Sequence, residues 1–308
     1  MKKILLIKHG SLGDIISSTS VINDIKKHFT RDQVYILTSD KYKDFFYELN
    51  FFDNIIIDNR EGISKTIDVI KKIFNLKIDL IIDLQNSKRT SVYAFILRIF
   101  SKTKINGTGG FSTHRYKYDK MNMPSVIDGL SNQIEVLGIT TLRKPHLNWL
   151  IKEKFDFNKI NNQNFFLINP GCSKKNFKKK WPAVNYAKIC TYLSSKNILP
   201  IIIGANDDKD EIEEILSLEK NVLNLFNKSP LSIIFQLSQK AIGAISNDTG
   251  PAHLIAASGC PIHLILSDFS NTKTVIPQGT NVSFIRKKDI KNILVEEVIE
   301  DLNNKFDL

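Results

Sequence analysis

Short apolar runs rich in β-branched residues alternate along the chain with longer stretches whose apolar positions recur at helical spacing. Residues 3–8, 34–38, 54–58 and 80–84 read as strands, and 15–29, 62–74 and 87–100 as the helices that separate them. Strands joined by helical crossovers line up in parallel and are covered on both faces, so they show as near-continuous apolar runs and not as strict alternation. A strongly charged stretch, residues 152–164, interrupts this grammar, which restarts with an apolar strand at 165–169 and a Pro170-Gly171 break. The second series continues as helix 183–193, strand 199–204, acidic helix 207–216, helix 231–237, strand 241–246, helix 251–258 and strand 262–266. The pattern predicts an α/β protein of two Rossmann-like, doubly wound parallel-sheet domains, residues 1–155 and 156–308. A last helical pattern, 290–302, either stays on the second domain or packs back on the first. Ligands in such folds sit beyond the carboxyl ends of the strands, so the expected site is a central cleft between two facing domains, lined by strand-to-helix loops.

The length of 308 residues suits two cores of similar size, and the formal charge of +11 calls for an anionic partner: nucleic acid, acidic lipid or a phosphorylated substrate. Basic and aromatic residues do not interleave as in an RNA-binding motif, so nucleic acid is not expected. Cys172, Cys190 and Cys260 lack the paired spacing of a zinc or redox site and read as free thiols in a reducing compartment. The first apolar run is about five residues long and ends at His9, too short for a signal-peptide core, and no stretch approaches the ~18 residues of a membrane span. The expectation is a cytoplasmic protein that rests on a membrane surface without crossing it.

Four segments carry candidate chemistry. The first strand runs into His9-Gly10-Ser11-Leu12-Gly13-Asp14, a glycine-containing turn with a hydroxyl and a carboxylate at a helix start. It is not a dinucleotide fingerprint, and Ser11 with Asp14 reads either as ligand-binding chemistry or as a capping pair. Residues Ser246-Asn247-Asp248-Thr249-Gly250-Pro251-Ala252-His253 follow a strand and open a helix whose free N–H groups suit phosphate; an ordinary capped helix is the alternative. The carboxylate of Asp248 is out of place beside a phosphate unless it caps the helix or orders its neighbours. Pro170-Gly171-Cys172-Ser173 leads into a loop with five lysines between 174 and 180, of which one or two are expected to touch a ligand, and Trp181-Pro182 anchors the next helix. Finally Gln85, Lys88 and Arg89, at the end of the fourth strand, suit an anionic acceptor. Asp208-Lys209-Asp210 matches an acidic metal-binding triplet in form, but at a helix start it serves the helix dipole, and no metal is expected.

Taken together, KHGSLGDII, IDLIIDLQNSKRTS, NPGCSKKNFKKKWP and SNDTGPAHLIAASGCP resemble, in order and spacing, glycosyltransferase family 9, the bacterial heptosyltransferases with a GT-B fold of two Rossmann domains. The resemblance spans nearly the whole chain. It implies an inverting transfer of a sugar, a heptose, from an ADP-linked or other nucleotide-diphosphate donor to the lipid A inner core of lipopolysaccharide at the anionic inner-membrane surface. Asp14 is then the general base. Lys179 and the amides around Thr249 and Gly250 meet the departing diphosphate without a metal or other cofactor. Ser11, Gly13, Asp248 and His253 join the donor site; Cys172 and Ser173 fall where hydroxyl residues contact phosphate, Ser229 near the nucleoside and Asp208 near a ribose-binding acid. Three departures stand out. Asn227 replaces a glycine, Cys172 replaces a hydroxyl residue, and Ser125, Asp128 and Asn132 stand where the family carries His and Arg. A nucleotide-sugar epimerase of the same fold and a non-catalytic nucleotide-binding scaffold are the competing readings.

Overall fold

The strands and helices were located in a computed structural model, which describes residues 1–119, 121–151, 154–160, 163–172, 178–270, 276–306 and 308. Contacts divide the chain into two compact units, Met1–Trp149 and Leu150–Leu308. The division falls a few residues ahead of the 155/156 boundary expected from the charged stretch.

The first unit contains β1 (Lys3–Ile7), α1 (Leu12–His28), β2 (Gln33–Thr38), α2 (Lys43–Glu48), β3 (Asn54–Ile57), α3 (Ile63–Leu76), β4 (Leu80–Asp83), α4 (Lys88–Phe100), β5 (Lys104–Gly107), β6 (His114–Arg115) and α5 (Val126–Glu135). Its six strands are all parallel, in the order β3-β2-β1-β4-β5-β6. The second unit contains β7 (Phe165–Asn169), α6 (Ala183–Ser195), β8 (Leu199–Gly204), α7 (Lys209–Leu218), β9 (Leu223–Phe226), α8 (Leu231–Ser238), β10 (Gly243–Asn247), α9 (Gly250–Ala257), β11 (Ile262–Ser267), β12 (Val282–Lys287) and a last helix, α10 (Val295–Phe306). Its parallel order is β12-β11-β10-β7-β8-β9. Strand order therefore reverses between β1 and β4 in one unit and between β10 and β7 in the other. At such switch points the loops diverge to opposite faces and leave a crevice for ligand.

The central strands are buried because both faces are covered: Ile4, Leu5, Leu6 and Ile7 of β1 are essentially inaccessible. Ile70 and Ile73 of α3 and Tyr93 and Leu97 of α4 pack on Leu5, Ile7 and Ile81. On the other face α1 packs on α5 and is buried at Gly13 and from Ile15 to Ile25, with Asp14 left half-buried between them. The polar residues on α1 are absorbed locally, with Ser18 donating to Ile15 O and Thr19 to Ile16 O. Asp14 therefore rides on the first turn of an immobilised helix.

Four strands and two helices are absent from the pattern reading. The strands β5, β6, β9 and β12 are short or lie at sheet edges, where alternate residues face solvent and the continuous apolar run is lost. The last helix starts at Val295 and not at 290, because Ile290–Asn292 forms a separate 3-10 turn in which Asp289 accepts from the Lys291 N–H. Of its two sequence-level placements, the helix packs on its own unit: α10 lies on α6, with Val298 and Leu302 fully buried and Phe306 edge-on to Phe166 at 5.1 Å. Each such buried aliphatic side chain stabilises by about 1.5–3 kcal/mol relative to exposure.

Candidate functional site

In the first unit the site grows out of the β1–α1 loop. Lys8 leaves the strand inward, its Nζ donating to Leu84 O at 3.1 Å, and burial pushes its ammonium pKa down against the pull of Asp14 and Asp83. His9 is tied at every polar atom of its backbone: its N–H donates to Gln85 Oε1 (2.9 Å) and its carbonyl accepts from Ser39 Oγ (3.0 Å). Gly10 has φ +117°, and a Cβ there would meet the Tyr42 ring at 2.2 Å, so this turn requires glycine on both counts. Ser11 is the N-cap of α1, and Asp14 Oδ2 accepts from the Ser11 N–H (3.1 Å) and Oγ (3.2 Å). The capping pair is thus present. It leaves Oδ1 and the remaining lone pairs of a half-buried carboxylate available to chemistry. Gly13, next to it, is buried in the helix.

Beneath this loop lies a buried ionic cluster that the sequence does not announce. Asp58, just beyond β3 and 2% exposed, accepts from His9 Nε2 (2.9 Å), Arg89 Nε (3.1 Å) and Nη2 (2.8 Å), Tyr93 Oη (2.5 Å) and the Arg60 N–H (2.9 Å). Burial alone would raise its pKa; these donors outweigh it and hold the carboxyl far below the usual range, while Tyr93 is pushed up and Arg89 is held more firmly protonated. The expected acceptor group is split accordingly. Gln85 is spent on His9, Arg89 is engaged by Asp58, and Lys88 is exposed on the first turn of α4. Arg89 is therefore a support of the loop; its charge is already shared.

The polar trio before and within α5 also has a structural partner. Ser125 caps the helix through the Asp128 N–H (3.1 Å), and Arg143 reaches back to Asp128 Oδ1 (3.0 Å), Asn132 Oδ1 (2.8 Å) and Glu135 Oε1 (2.8 Å). A guanidinium thus returns to the helix that lacks one in sequence, from eight to fifteen residues downstream.

In the second unit the loops after β7 and β10 meet at the switch point. Asn247 donates to Pro170 O (2.6 Å) and accepts from the Trp181 N–H (3.3 Å), and the Cys172 thiol faces Asp248 O at 3.6 Å. Lys179 Nζ donates to Asp248 Oδ2 at 2.6 Å, with Ser270 Oγ on the same oxygen at 2.9 Å. Asp248 thus holds the Lys179 ammonium in an ion pair. Thr249 is the N-cap of α9, with Gly250 and Pro251 in the first turn, where amides without helical partners point outward, and His253 lies on the same short helix. Of the other loop lysines, Lys178 sits 4.5 Å from the centre of the Phe269 ring and Lys180 pairs with Glu211. Ser173, Lys174 and Lys175 lie outside the described residues. Trp181 is buried, donates to Ile293 O and packs edge-on to Tyr186, so it anchors α6 as expected.

Asp208 is brought against the same loop. A Cβ on Gly171 would meet its carboxylate at 2.1 Å, so glycine there allows the close approach. Burial raises the Asp208 pKa, opposed by the Ala205 N–H and the charge of Lys180. Ser229 donates to Leu225 O at 3.0 Å, one turn beyond β9. Asn227, which replaces glycine, has φ +54°, the left-handed conformation that asparagine tolerates best after glycine, so the departure leaves the backbone unchanged in kind. Among the described residues no cluster of three or more His, Cys, Asp or Glu could hold a metal. No described helix is long and apolar enough to cross a membrane.

Comparison with known proteins identifies the family and the fold. The profile of glycosyltransferase family 9 (heptosyltransferase) matches residues 67–289. The lipopolysaccharide core heptosyltransferase OpsX of Haemophilus influenzae is 23% identical over 279 residues, covering 85% of this chain and 78% of its own. Among solved structures, a family 9 glycosyltransferase from Veillonella parvula superposes with a TM-score of 0.77 at 18% identity over 99% of this chain and 97% of its own. Escherichia coli heptosyltransferase WaaC, solved with ADP-2-deoxy-2-fluoro heptose, gives 0.75 at 13% identity over 98% of this chain and 99% of its own. The two six-stranded parallel sheets are those of the GT-B fold, and the chain belongs to glycosyltransferase family 9, the heptosyltransferase family.

Proposed function

We propose that this enzyme transfers a heptose from ADP-heptose to the inner core of lipopolysaccharide with inversion at the anomeric carbon. The observation that carries the reading is the pair of loops at the two switch points, one presenting a carboxylate and the other an ammonium beside a helix N-terminus. The acceptor hydroxyl attacks the anomeric carbon as Asp14 takes its proton. The bond from that carbon to the diphosphate oxygen breaks in the same displacement, which inverts the centre. Negative charge builds on the leaving diphosphate, where Lys179 and the first amides of α9 receive it. Asp248 holds Lys179 in place beforehand, so little reorganisation is needed when charge develops. Asp208 and Ser229 serve the nucleoside end, and Cys172 lines the diphosphate loop. Lysine and amides supply the countercharge, so the reading invokes no metal. The acceptor is lipid-linked, which places the enzyme at the cytoplasmic face of an anionic inner membrane. Support for the donor comes from the ADP-sugar bound to the Escherichia coli neighbour and from the heptosyltransferase relatives.

Isothermal titration with ADP, GDP, UDP and their sugar conjugates tests the donor, with Lys179→Ala as control. Selective binding of the ADP forms, weakened in the control, is expected, followed by transfer to a water-soluble deacylated core with inverted anomeric configuration. A preference for UDP or GDP would replace the donor. Conversion of the donor without acceptor would make the chain an epimerase, and the absence of any nucleotide binding would leave a scaffold.

A further inference from the structure

Helix α4 presents apolar side chains on two opposite faces. Thr90, Tyr93, Ala94 and Leu97 are buried against the sheet, as a single-sided helix requires. Val92, Phe95 and Ile99, spaced as i, i+3 and i+7, face solvent, together with Phe100 at the helix end; they are 44 to 68% exposed. Phe111 packs on Phe95 at 4.9 Å between ring centres and extends the surface, and Phe74 of the neighbouring α3 is 49% exposed. A solvent-facing stripe of this size on one helix is not scattered surface apolarity. Its charge setting is equally one-sided: residues 84–118 contain no aspartate or glutamate and seven lysines and arginines. Arg98, Lys102 and Lys104 lie on or just beyond α4. Lys2, Lys77, Lys102 and Lys104 outnumber Asp79 around a cavity of about 770 Å³ at the amino ends of the strands, with Phe74 and Phe100 at its wall.

We infer that the outer face of α4 is a docking surface for a bilayer containing anionic phospholipid, with Val92, Phe95, Ile99 and Phe100 entering the interfacial layer and the flanking cations resting on headgroup phosphates. Apolar side chains framed by lysine and arginine are what an interfacial helix needs, and the predominantly basic frame, acid-free over residues 84–118, selects a negatively charged surface. A second copy of the chain is the poorer occupant, because two such faces would bring like charges together. The inference deepens the proposed transfer to a lipid-linked acceptor and rests on it for its purpose. The first turn of α4 follows directly on the β4 loop at the switch point, so a membrane lying along the helix would deliver the acceptor to that end of the first unit.

The test uses flotation of the full-length protein with vesicles of phosphatidylcholine plus phosphatidylglycerol, and with phosphatidylcholine alone, none carrying any saccharide. Wild-type protein is expected to float with the anionic vesicles and to lose this at high salt. The double variant Phe95→Glu/Ile99→Glu should bind at least about tenfold more weakly. Arg98→Gln, Lys102→Gln and Lys104→Gln should each weaken binding roughly fivefold. Both sites are on the surface, so an unchanged melting temperature and unchanged transfer to a water-soluble acceptor separate docking from folding and chemistry. Failure of the wild-type protein to float, equal binding of neutral vesicles, or undiminished binding of the double variant overturns the docking surface. A shift of the variant from dimer to monomer by light scattering, with vesicle binding intact, assigns the face to a second copy and overturns it too. Transfer to the soluble acceptor is read separately, so loss of docking leaves the transferase reading standing, and loss of transfer with docking retained refutes that reading alone.

Discussion

The two switch-point loops each place an aspartate beside the start of a helix, yet they put that residue to opposite uses. Among the described residues, Asp14 is held by its own cap, Ser11, and stays half-exposed. Asp248 is held by Lys179 and Ser270 and stands at the junction of three loops, those after β7, β10 and β11. The same residue type at a similar backbone position is thus a candidate base in one unit and a positioning group in the other, and the difference lies wholly in what the rest of the fold brings to it. The foundations of the loops differ as well. The first stands on an ionic cluster around Asp58; the second stands on β10 and β11, where a buried His263 pairs with Ile245 in register and has to stay neutral.

The sharpest break of this comparison is at the two acids themselves. Asp14→Asn should lower the rate of transfer by about 10² to 10⁴ while leaving ADP binding and thermal stability nearly intact. Asp248→Asn should instead act through Lys179. The Lys179→Ala variant is expected to lose about 10² to 10³ in rate together with donor affinity. The two losses, measured in a double-mutant cycle, should be strongly non-additive. If Asp248→Asn and Asp14→Asn gave the same kinetic pattern, the distinction between base and positioning group would fall.

Removing the foundation of the first loop is expected to cost stability. Asp58→Asn leaves His9 and Arg89 without their carboxylate and should destabilise by roughly 3–5 kcal/mol in denaturant unfolding. The pH dependence distinguishes the units further. The folded Asp58 pKa lies below its unfolded value near 3.8, so its stabilisation is complete above about pH 4 and is lost as pH falls below that. His263 is lowered from 6.5 to about 4 by burial, with the charge of Lys305 adding to it. Asp301 stands 3.6 Å from its Nε2, beyond hydrogen-bond reach and partly exposed, and does not reverse the shift. A histidine lowered in this way contributes its full stability above about pH 6.5 and loses it as pH falls toward 4, by at most about 1.4 kcal/mol per pH unit. The second unit should therefore weaken first on acidification. Melting curves of His263→Asn would be flatter between pH 4 and 6.5, and those of Asp58→Asn flatter only below it; a common window for both would refute the assignment.

Much of the fold was legible because a parallel strand buried on both faces leaves an unmistakable apolar run, as at residues 3–8, 165–169 and 262–266. Edge strands such as β9 and β12 were not, since half their side chains meet water and the run dissolves. Glycines told their position but not their reason. Only the structure shows that Gly10 makes room for the Tyr42 ring and Gly171 for the Asp208 carboxylate.

By itself the sequence determined the class of fold, the two sheet series, and the loops that carry Asp14, Lys179 and Thr249, because hydrophobic period and turn chemistry are local properties. Which cation meets which carboxylate was decided by the tertiary structure alone. Lys179 finds Asp248 from 69 residues away, Arg89 finds Asp58 from 31, and Arg143 folds back on α5 to supply the guanidinium absent from its own sequence neighbourhood. Ion pairs and buried polar networks depend on distances of a few ångströms between segments remote in the chain, and no periodicity in one segment encodes the partner held by another.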